Sequence, residues 1–361
     1  ALSDETRPEA SDAVRLAQRA GIRVVMVTGD HPETAATVAK DLGILGPEQE
    51  VLSGSLLARM TSDQLRGEVS RYSAYARVDP ADKVKIVRAW QQEGEIVAMT
   101  GDGVNDAPAL RVSDIGVAMG SGSDVSRDAA SIVLADDNFA TLVGAIREGR
   151  GIFENLQKVV RFLLNTNISE LFVMTAGFLV FGNLGEPLLP VQILWVNLVT
   201  DGLPVLALAA DPPSHDLMQR SPVRNRSLVG GGGARGVIAR AAILACAPLA
   251  ALVYGHFLAG AEWPRVQTIV FTSLVVVQVL YAFVVRAEGR SRPLRGSRAL
   301  ALAALASFAL QLGVVYLPAG NELFNVVPLP PQDWLVIAAL SAAALLVVMG
   351  APRLRSAVAR N

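Results

Sequence analysis

The chain is 361 residues long, enough for a core domain and a second module, and 52 % of its residues are hydrophobic. A formal net charge of -1 gives no electrostatic footing for nucleic acid as a partner. The single cysteine, Cys246, leaves no disulfide framework within the chain and no cysteine-based metal site. Its place inside an apolar run predicts a small buried packing residue.

The hydrophobic residues are unevenly placed. Residues 1–157 alternate short β-branched runs with helical patterns, whereas long apolar runs dominate residues 158–361, so the domain boundary is read there. Residues Ala1–Glu5 lack the charged start and apolar stretch of a signal peptide. In chain order, Arg23–Val27 predicts a strand ending in Thr28, Gly29 and Asp30, and Pro32 opens a helix to about Leu42. Glu95–Thr100 predicts a second strand, followed by Gly101, Asp102 and Gly103. Ile115–Met119 and Ile132–Ala135 predict two more. Fully apolar strands separated by helices predict a Rossmann-like parallel sheet covered on both faces, with ligands beyond the carboxyl ends of its strands.

Both Thr-Gly-Asp triplets fall at such ends. Alone, each is no more than a strand-to-helix turn. The longer run Thr100-Gly101-Asp102-Gly103-Val104-Asn105-Asp106-Ala107-Pro108 says more. Asp102 and Asp106 flank a carboxamide on a glycine turn, a set of oxygen ligands that Mg²⁺ prefers. Gly101 and Gly103 allow tight backbone paths and close approach to a phosphate.

A membrane span needs about 20 mainly apolar residues. Six segments qualify: Val159–Phe181, Leu189–Ala209, Val237–Phe257, Val266–Val285, Ala299–Leu317 and Trp334–Met349. With residues 1–157 on the cytosolic side, the segments 211–236, 286–298 and 351–361 are inside and hold four, five and three arginines. The opposite connections hold only Arg265, in keeping with the positive-inside rule and an even number of spans. The glycine run Gly230–Gly233 falls in a cytosolic connection, where plain flexibility is expected.

Polar residues inside spans are costly and usually functional. Asn167 and Glu170 share one face of the first span. Asn197, Thr200 and Asp201 share one face of the second, and Gly202 and Pro204 follow at once. Proline removes a backbone hydrogen bond and frees a carbonyl, which is tolerated at membrane depth where it lines a site. All these ligands are oxygens, which suit hard cations such as Ca²⁺ and do not suit copper or zinc. Oxygen ligands alone leave Mn²⁺, Na⁺, K⁺ and protons open.

The run Thr100–Pro108 resembles the hinge motif of the P-type ATPases, in the haloacid-dehalogenase fold. Ala1–Arg7 resembles their segment after the nucleotide domain, Met26–Asp30 their Thr-Gly-Asp strand end, and Ala76–Lys83 the segment carrying the phosphate-site lysine. The resemblance implies that Asp102 and Asp106 hold Mg²⁺ and that Asn105 supports the site. Lys83 would neutralise phosphoryl oxygens, Thr28 would hydrogen-bond one of them, and Gly29 and Asp30 would lie at the same pocket near the phosphates of ATP. Gln192–Pro204 resembles the sixth membrane helix of the sarcoplasmic-reticulum-type calcium pumps, and Asn165–Leu171 their fifth. The positions of Asn167, Glu170, Asn197, Thr200 and Asp201 bind Ca²⁺ in that family. Val266–Val285 resembles the eighth helix, which contributes a glutamate in two-site pumps. The best match here is the neutral Gln278, a weaker candidate that puts the second ion site in question.

The expected architecture is therefore a partial phosphorylation domain of haloacid-dehalogenase-like α/β fold at 1–157, followed by an all-α bundle of six transmembrane helices at 158–361. The family phosphorylates an aspartate in an Asp-Lys-Thr-Gly motif, and this sequence has none. The resemblance implies a fragment, inactive alone, whose partners are the membrane lipid, the transported cation and the missing N-terminal part of the same pump. A truncated product without turnover is the alternative. The Cys-Pro-Cys branch of heavy-metal pumps is disfavoured by six spans and one cysteine. High alanine and arginine content points to a GC-rich bacterial source, and so to the plasma membrane with the soluble part and the C-terminus cytosolic.

Overall fold

The computed structural model describes residues 7–46, 50–214, 216–222, 228, 233–288 and 298–358. Residues 1–6, the glycines 230–232, and Arg224, Arg226, Arg290, Arg292, Arg295 and Arg360, which entered the reading of the sequence, lie outside these. The chain divides into two compact units. The first comprises residues 1–150 with 215–223, the second 151–214 with 224–361.

The first unit holds six short parallel strands in two sheets. Strands β1 (Met26–Val27), β2 (Val51–Ser53) and β3 (Ala74–Ala76) are ordered β1-β3-β2. Strands β4 (Ala98–Gly101), β5 (Ile115–Met119) and β6 (Ile132–Leu134) are ordered β4-β5-β6. Strands β1 and β4 are shorter than the apolar runs that predict them, and each pairs on one edge only among the described residues. Residues ahead of the paired segment find side-chain partners instead, as where Val97 N–H donates to Asp114 Oδ2 at 2.8 Å. Strands β2 and β3 stand beyond the predicted ones: Val51-Leu52-Ser53 is only three residues long and Ala74-Tyr75-Ala76 has no β-branched residue. Burial decides there, since Ala74, Tyr75 and Ala76 are wholly enclosed.

Proline at the first helical turn starts the helices Pro8–Arg19, Pro32–Asp41 and Pro80–Gln92, where its missing N–H costs nothing. Leu52, Leu57, Leu65, Val69 and Ile86 form the core around Tyr75. Truncating Leu57 or Leu65, both fully buried, to alanine costs about 2–5 kcal/mol. Burial pushes the Tyr75 phenol well above its usual range.

Among its described residues the second unit has six helices long and apolar enough to cross a membrane. The first belongs to one uninterrupted 43-residue helix, Phe139–Phe181. At 1.5 Å per residue it is roughly 65 Å long, about twice a bilayer's hydrocarbon thickness, so the apolar run forms only its C-terminal part. The others are Pro190–Ala209, Gly233–Leu258, Trp263–Ala287, Arg298–Tyr316 and the helix from Pro331. We number them as the first to sixth spans.

The fourth span is the most enclosed. Its Val270, Phe271, Leu274 and Val275 pack against Val173 of the first, Val196 of the second and Leu252 of the third. Lipid is as apolar as leucine, so such contacts hold helices by close packing, and polar pairs add to them. Three pairings do so. Asp211, after the second span, accepts from Lys158 Nζ at 3.0 Å and Arg286 Nε at 2.9 Å, and all three are at most 5 % exposed. Asp333 takes a two-pronged bond from Arg265 at 2.9 and 3.0 Å and another from Tyr254 at 3.1 Å. Glu288 meets Arg240 at 2.9 Å and Arg161 at 3.3 Å. Cys246 corrects an expectation: it is exposed on the third span rather than buried, and its thiol donates to the Ala242 carbonyl at 3.2 Å. An apolar run surrounded by lipid has an outward face, and Cys246 stands on it.

Candidate functional site

Each unit carries one cluster of the predicted residues. In the first unit, the turn after β1 closes on itself. Thr28 Oγ1 donates to Asp30 Oδ2 at 2.8 Å, and Asp30 N–H donates back to Thr28 Oγ1 at 3.1 Å. Arg77 N–H donates to the Asp30 carbonyl at 3.0 Å and Val78 N–H to that of Thr28 at 3.2 Å, which ties the end of β1 to the end of β3. Arg77 takes the left-handed region for this, at φ 51°. The helix Pro80–Gln92 starts two residues later and places Lys83 in its first turn.

Lys83 Nζ reaches Asp106 Oδ1 at 2.5 Å. The other oxygen of Asp106 accepts the N–H groups of Asp102 at 3.3 Å and Gly103 at 3.2 Å. A side chain at Gly101 is impossible, because its Cβ would lie 2.4 Å from that of Asp106. The Asp102 carbonyl is held by Ser123 N–H at 2.8 Å and Ser126 Oγ at 3.0 Å, and its side chain stays exposed, as does Asn105. Lys83, Asp102 and Asp106 are thus brought together. The Thr28–Gly29–Asp30 turn bonds within itself and to Arg77 and Val78. Ser123 and Ser126, which fix Asp102, were not legible: two serines in a Gly-Ser-rich stretch look like a turn. The two carboxylates fit a small hard cation such as Mg²⁺, which needs one or two of them and completes its shell with water and phosphate oxygens.

In the second unit, the second span is broken by a π turn, Val196–Thr200, between Pro190–Trp195 and Gly202–Ala209. Asp201 N–H reaches back five residues to the Val196 carbonyl at 2.8 Å. Glu170, on the first span, is 6 % exposed. Its oxygens accept from Gln278 Nε2 and Asn197 Nδ2, each at 2.9 Å. Asp201 is fully buried, and neither of its oxygens has a hydrogen-bond partner among the described residues. Thr166 lies beside it, but its hydroxyl donates to the Leu163 carbonyl at 3.2 Å. Gln278 Oε1 and Asn165 Oδ1 are also buried without a partner. Thr200 Oγ1 is turned to the Val196 carbonyl at 3.0 Å.

Glu170, Asn197 and Gln278 are therefore joined directly. Asn167 is not: it is exposed, and Asn165, Thr166 and Ser169 occupy the enclosed face instead. Their polarity was the available signal, in a stretch, Asn165–Glu170, where five of six residues are polar and polarity alone does not choose the inward face. Buried oxygens without donors suit an oxygen-seeking cation, because each unpaired acceptor is costly until something positive meets it.

Comparison with known proteins agrees with both halves. Residues 185–353 match the family described as cation transporting ATPase, C-terminus, and residues 1–114 match the haloacid dehalogenase-like hydrolases, as do residues 83–146. The calcium-transporting ATPase of Bacillus subtilis is 42 % identical over 356 residues, which is 97 % of this chain and 39 % of the relative. The endoplasmic reticulum calcium ATPase srcA of Aspergillus fumigatus is 36 % identical, with 94 % of this chain and 39 % of the relative covered. The probable cation-transporting ATPase F of Mycobacterium tuberculosis is 39 % identical over 361 residues, again 39 % of its length. The chain thus spans about two-fifths of the length of these relatives. It belongs to the P-type cation-transporting ATPases and matches their C-terminal part, a haloacid dehalogenase-like fold followed by six helices of an integral membrane protein. Within that family it is similar to calcium-transporting ATPases, those of the endoplasmic-reticulum type among them.

Proposed function

We propose that this chain is the C-terminal part of an ATP-driven pump that moves Ca²⁺ through an aspartyl-phosphate cycle. The observation that carries the reading is the pair Glu170 and Asp201. These are two enclosed carboxylates on adjacent spans, one beside a broken helix turn, with no cationic side chain bonded to either among the described residues. Isolated buried carboxylates are too costly to serve as packing, and a divalent cation is the group that balances them. The exposed carboxamides of Asn167 and Asn197 favour a further wall from the rest of the intact protein.

In the first unit, Asp102 and Asp106 would hold Mg²⁺, which supplies charge neutralisation to transferring phosphate oxygens. Phosphoryl transfer asks for positioning and neutralisation rather than covalent help. The Lys83–Asp106 pair is suited to an exchange: as Asp106 turns to a metal, Lys83 is released toward phosphate oxygens. Thr28 supplies a hydroxyl, Asp30 and Gly29 shape the turn near ATP, and Asn105 supports the loop. The open edges of β1 and β4, with Ile96 77 % exposed ahead of β4, favour completion by a strand from the preceding part of the pump. The phosphorylated aspartate would come from there. A bacterial plasma membrane, with the first unit cytosolic, fits the arginine distribution.

The test is ATPase activity of the full-length protein in lipid vesicles against Ca²⁺, Mn²⁺, Na⁺ and K⁺, with Asp201→Asn in parallel. Stimulation by micromolar Ca²⁺ that Asp201→Asn loses is expected. Stimulation by another ion keeps the pump and removes calcium. An unaffected variant removes the membrane site.

A further inference from the structure

The fifth span carries two polar residues that neither cluster uses. Ser307 and Gln311 are four apart, one turn, in an otherwise apolar helix, and both are fully enclosed. Buried polar side chains at membrane depth are costly and need partners there. Theirs lie on either side of the break in the second span. Gln311 Oε1 accepts from Trp195 Nε1 at 3.2 Å, just before the π turn, and its Nε2 donates to Thr272 Oγ1 at 3.4 Å. Ser307 Oγ donates to the Thr200 carbonyl at 3.2 Å, at the end of the π turn.

Thr200 needs that donor. Pro204 has no N–H, so the carbonyl four residues before it has no partner within its own helix. Left unpaired in an apolar bundle, it would be relieved by admitting water or by repairing the turn to regular α geometry. Repair removes one residue from the turn, and one residue is about 100° of helix rotation. Asn197, within the turn, and Asp201, immediately after it, would then lose their common orientation toward Glu170.

We propose that Ser307 and Gln311 are positioning residues of the cation site, holding the second span on both sides of its broken turn. Neither touches the cation; they act through Thr200 and Trp195. The proposal rests on the cation reading of Glu170 and Asp201.

The test uses the full-length protein in lipid vesicles and reads ATPase rate against Ca²⁺ concentration. Ser307→Ala raises the half-saturating Ca²⁺ concentration about 5- to 10-fold, the scale of one lost buried hydrogen bond, with the maximal rate kept within about 2-fold. Gln311→Met raises it about 3-fold, and Ser307→Thr, which keeps the hydroxyl, restores wild-type affinity. Phosphorylation by inorganic phosphate without Ca²⁺ is unchanged in all three, whereas a general folding defect would lower it. Unchanged Ca²⁺ affinity in Ser307→Ala and Gln311→Met overturns the proposal, as does a Ser307→Thr variant no better than Ser307→Ala. Asp201→Asn, measured alongside, separates the two claims. If it retains Ca²⁺ stimulation, the cation reading falls and the proposal with it. If it loses stimulation while Ser307→Ala matches wild type, only the positioning role falls.

Discussion

Asp106 in the first unit and Asp201 in the second are both enclosed carboxylates, yet the chain surrounds them in opposite ways. Asp106 has every need met: Lys83 on one oxygen and two backbone N–H groups on the other. Asp201 accepts no hydrogen bond from the described residues. A carboxylate that is already balanced changes state by exchanging partners, which suits the metal and phosphate role proposed for it. A carboxylate left without a donor in a membrane bundle is costly until a proton or a cation meets it. The same unit shows what full balancing looks like in another enclosed carboxylate, since Asp211 is flanked by Lys158 and Arg286. Burial alone therefore does not mark the site; the lack of a positive partner does.

The largest effect expected from breaking this comparison is in the first unit. Asp106→Asn or Lys83→Met removes charge where phosphate charge develops and should lower phosphoenzyme formation by about 10²–10³-fold, on the scale of losing one preorganised donor. Rapid-quench labelling with ATP reads it. Equilibrium Ca²⁺ binding should be unchanged, since the carboxylates that would bind the ion are in the other unit. Comparable in size is the penalty for removing Asp211. Asp211→Leu removes the carboxylate shared by Lys158 and Arg286, leaving Lys158 its bridge to Glu154, and should cost about 3 kcal/mol, seen as a lower thermal midpoint. If Asp211→Leu were neutral, the contrast between balanced and unbalanced carboxylates would be lost.

A smaller effect tests how the two regions communicate. The helix Phe139–Phe181 runs unbroken from the first unit into the first span. Glycine at Leu156 and Gln157 weakens it by about 1 kcal/mol per residue relative to alanine. ATPase activity should persist while ion transport per ATP falls, measured as vesicle uptake against phosphate release. Unchanged coupling would refute transmission through this helix. The smallest effect is at Glu288, whose carboxylate and arginine partners are 21–28 % exposed. Glu288→Gln should cost no more than about 1 kcal/mol.

Much of this was legible in the sequence, for reasons that differ by region. Apolar runs of span length have one good solution in lipid, so six helices could be read directly. The chemistry around Thr100–Pro108 was legible because glycine, carboxylate and carboxamide stand at a fixed spacing. Asn167 is placed apart from Glu170 because two residues three apart share a helix face without both facing the same neighbour. The structure turns Glu170 inward and leaves Asn167 outside. Ser307 and Gln311 were invisible because their meaning depends on a carbonyl freed by Pro204, a hundred residues away. Strand β3 escaped because alanine and tyrosine become a strand here only through enclosure by their neighbours.

The central proposal is that Asp201 belongs to the site of the transported cation and that Asp106 does not. Equilibrium binding of radioactive Ca²⁺ to the purified full-length protein, without ATP, tests it most directly in wild type, Asp201→Asn and Asp106→Asn. The account predicts that Asp201→Asn loses binding and Asp106→Asn keeps it. Binding that survives in Asp201→Asn, or disappears in Asp106→Asn, would contradict it.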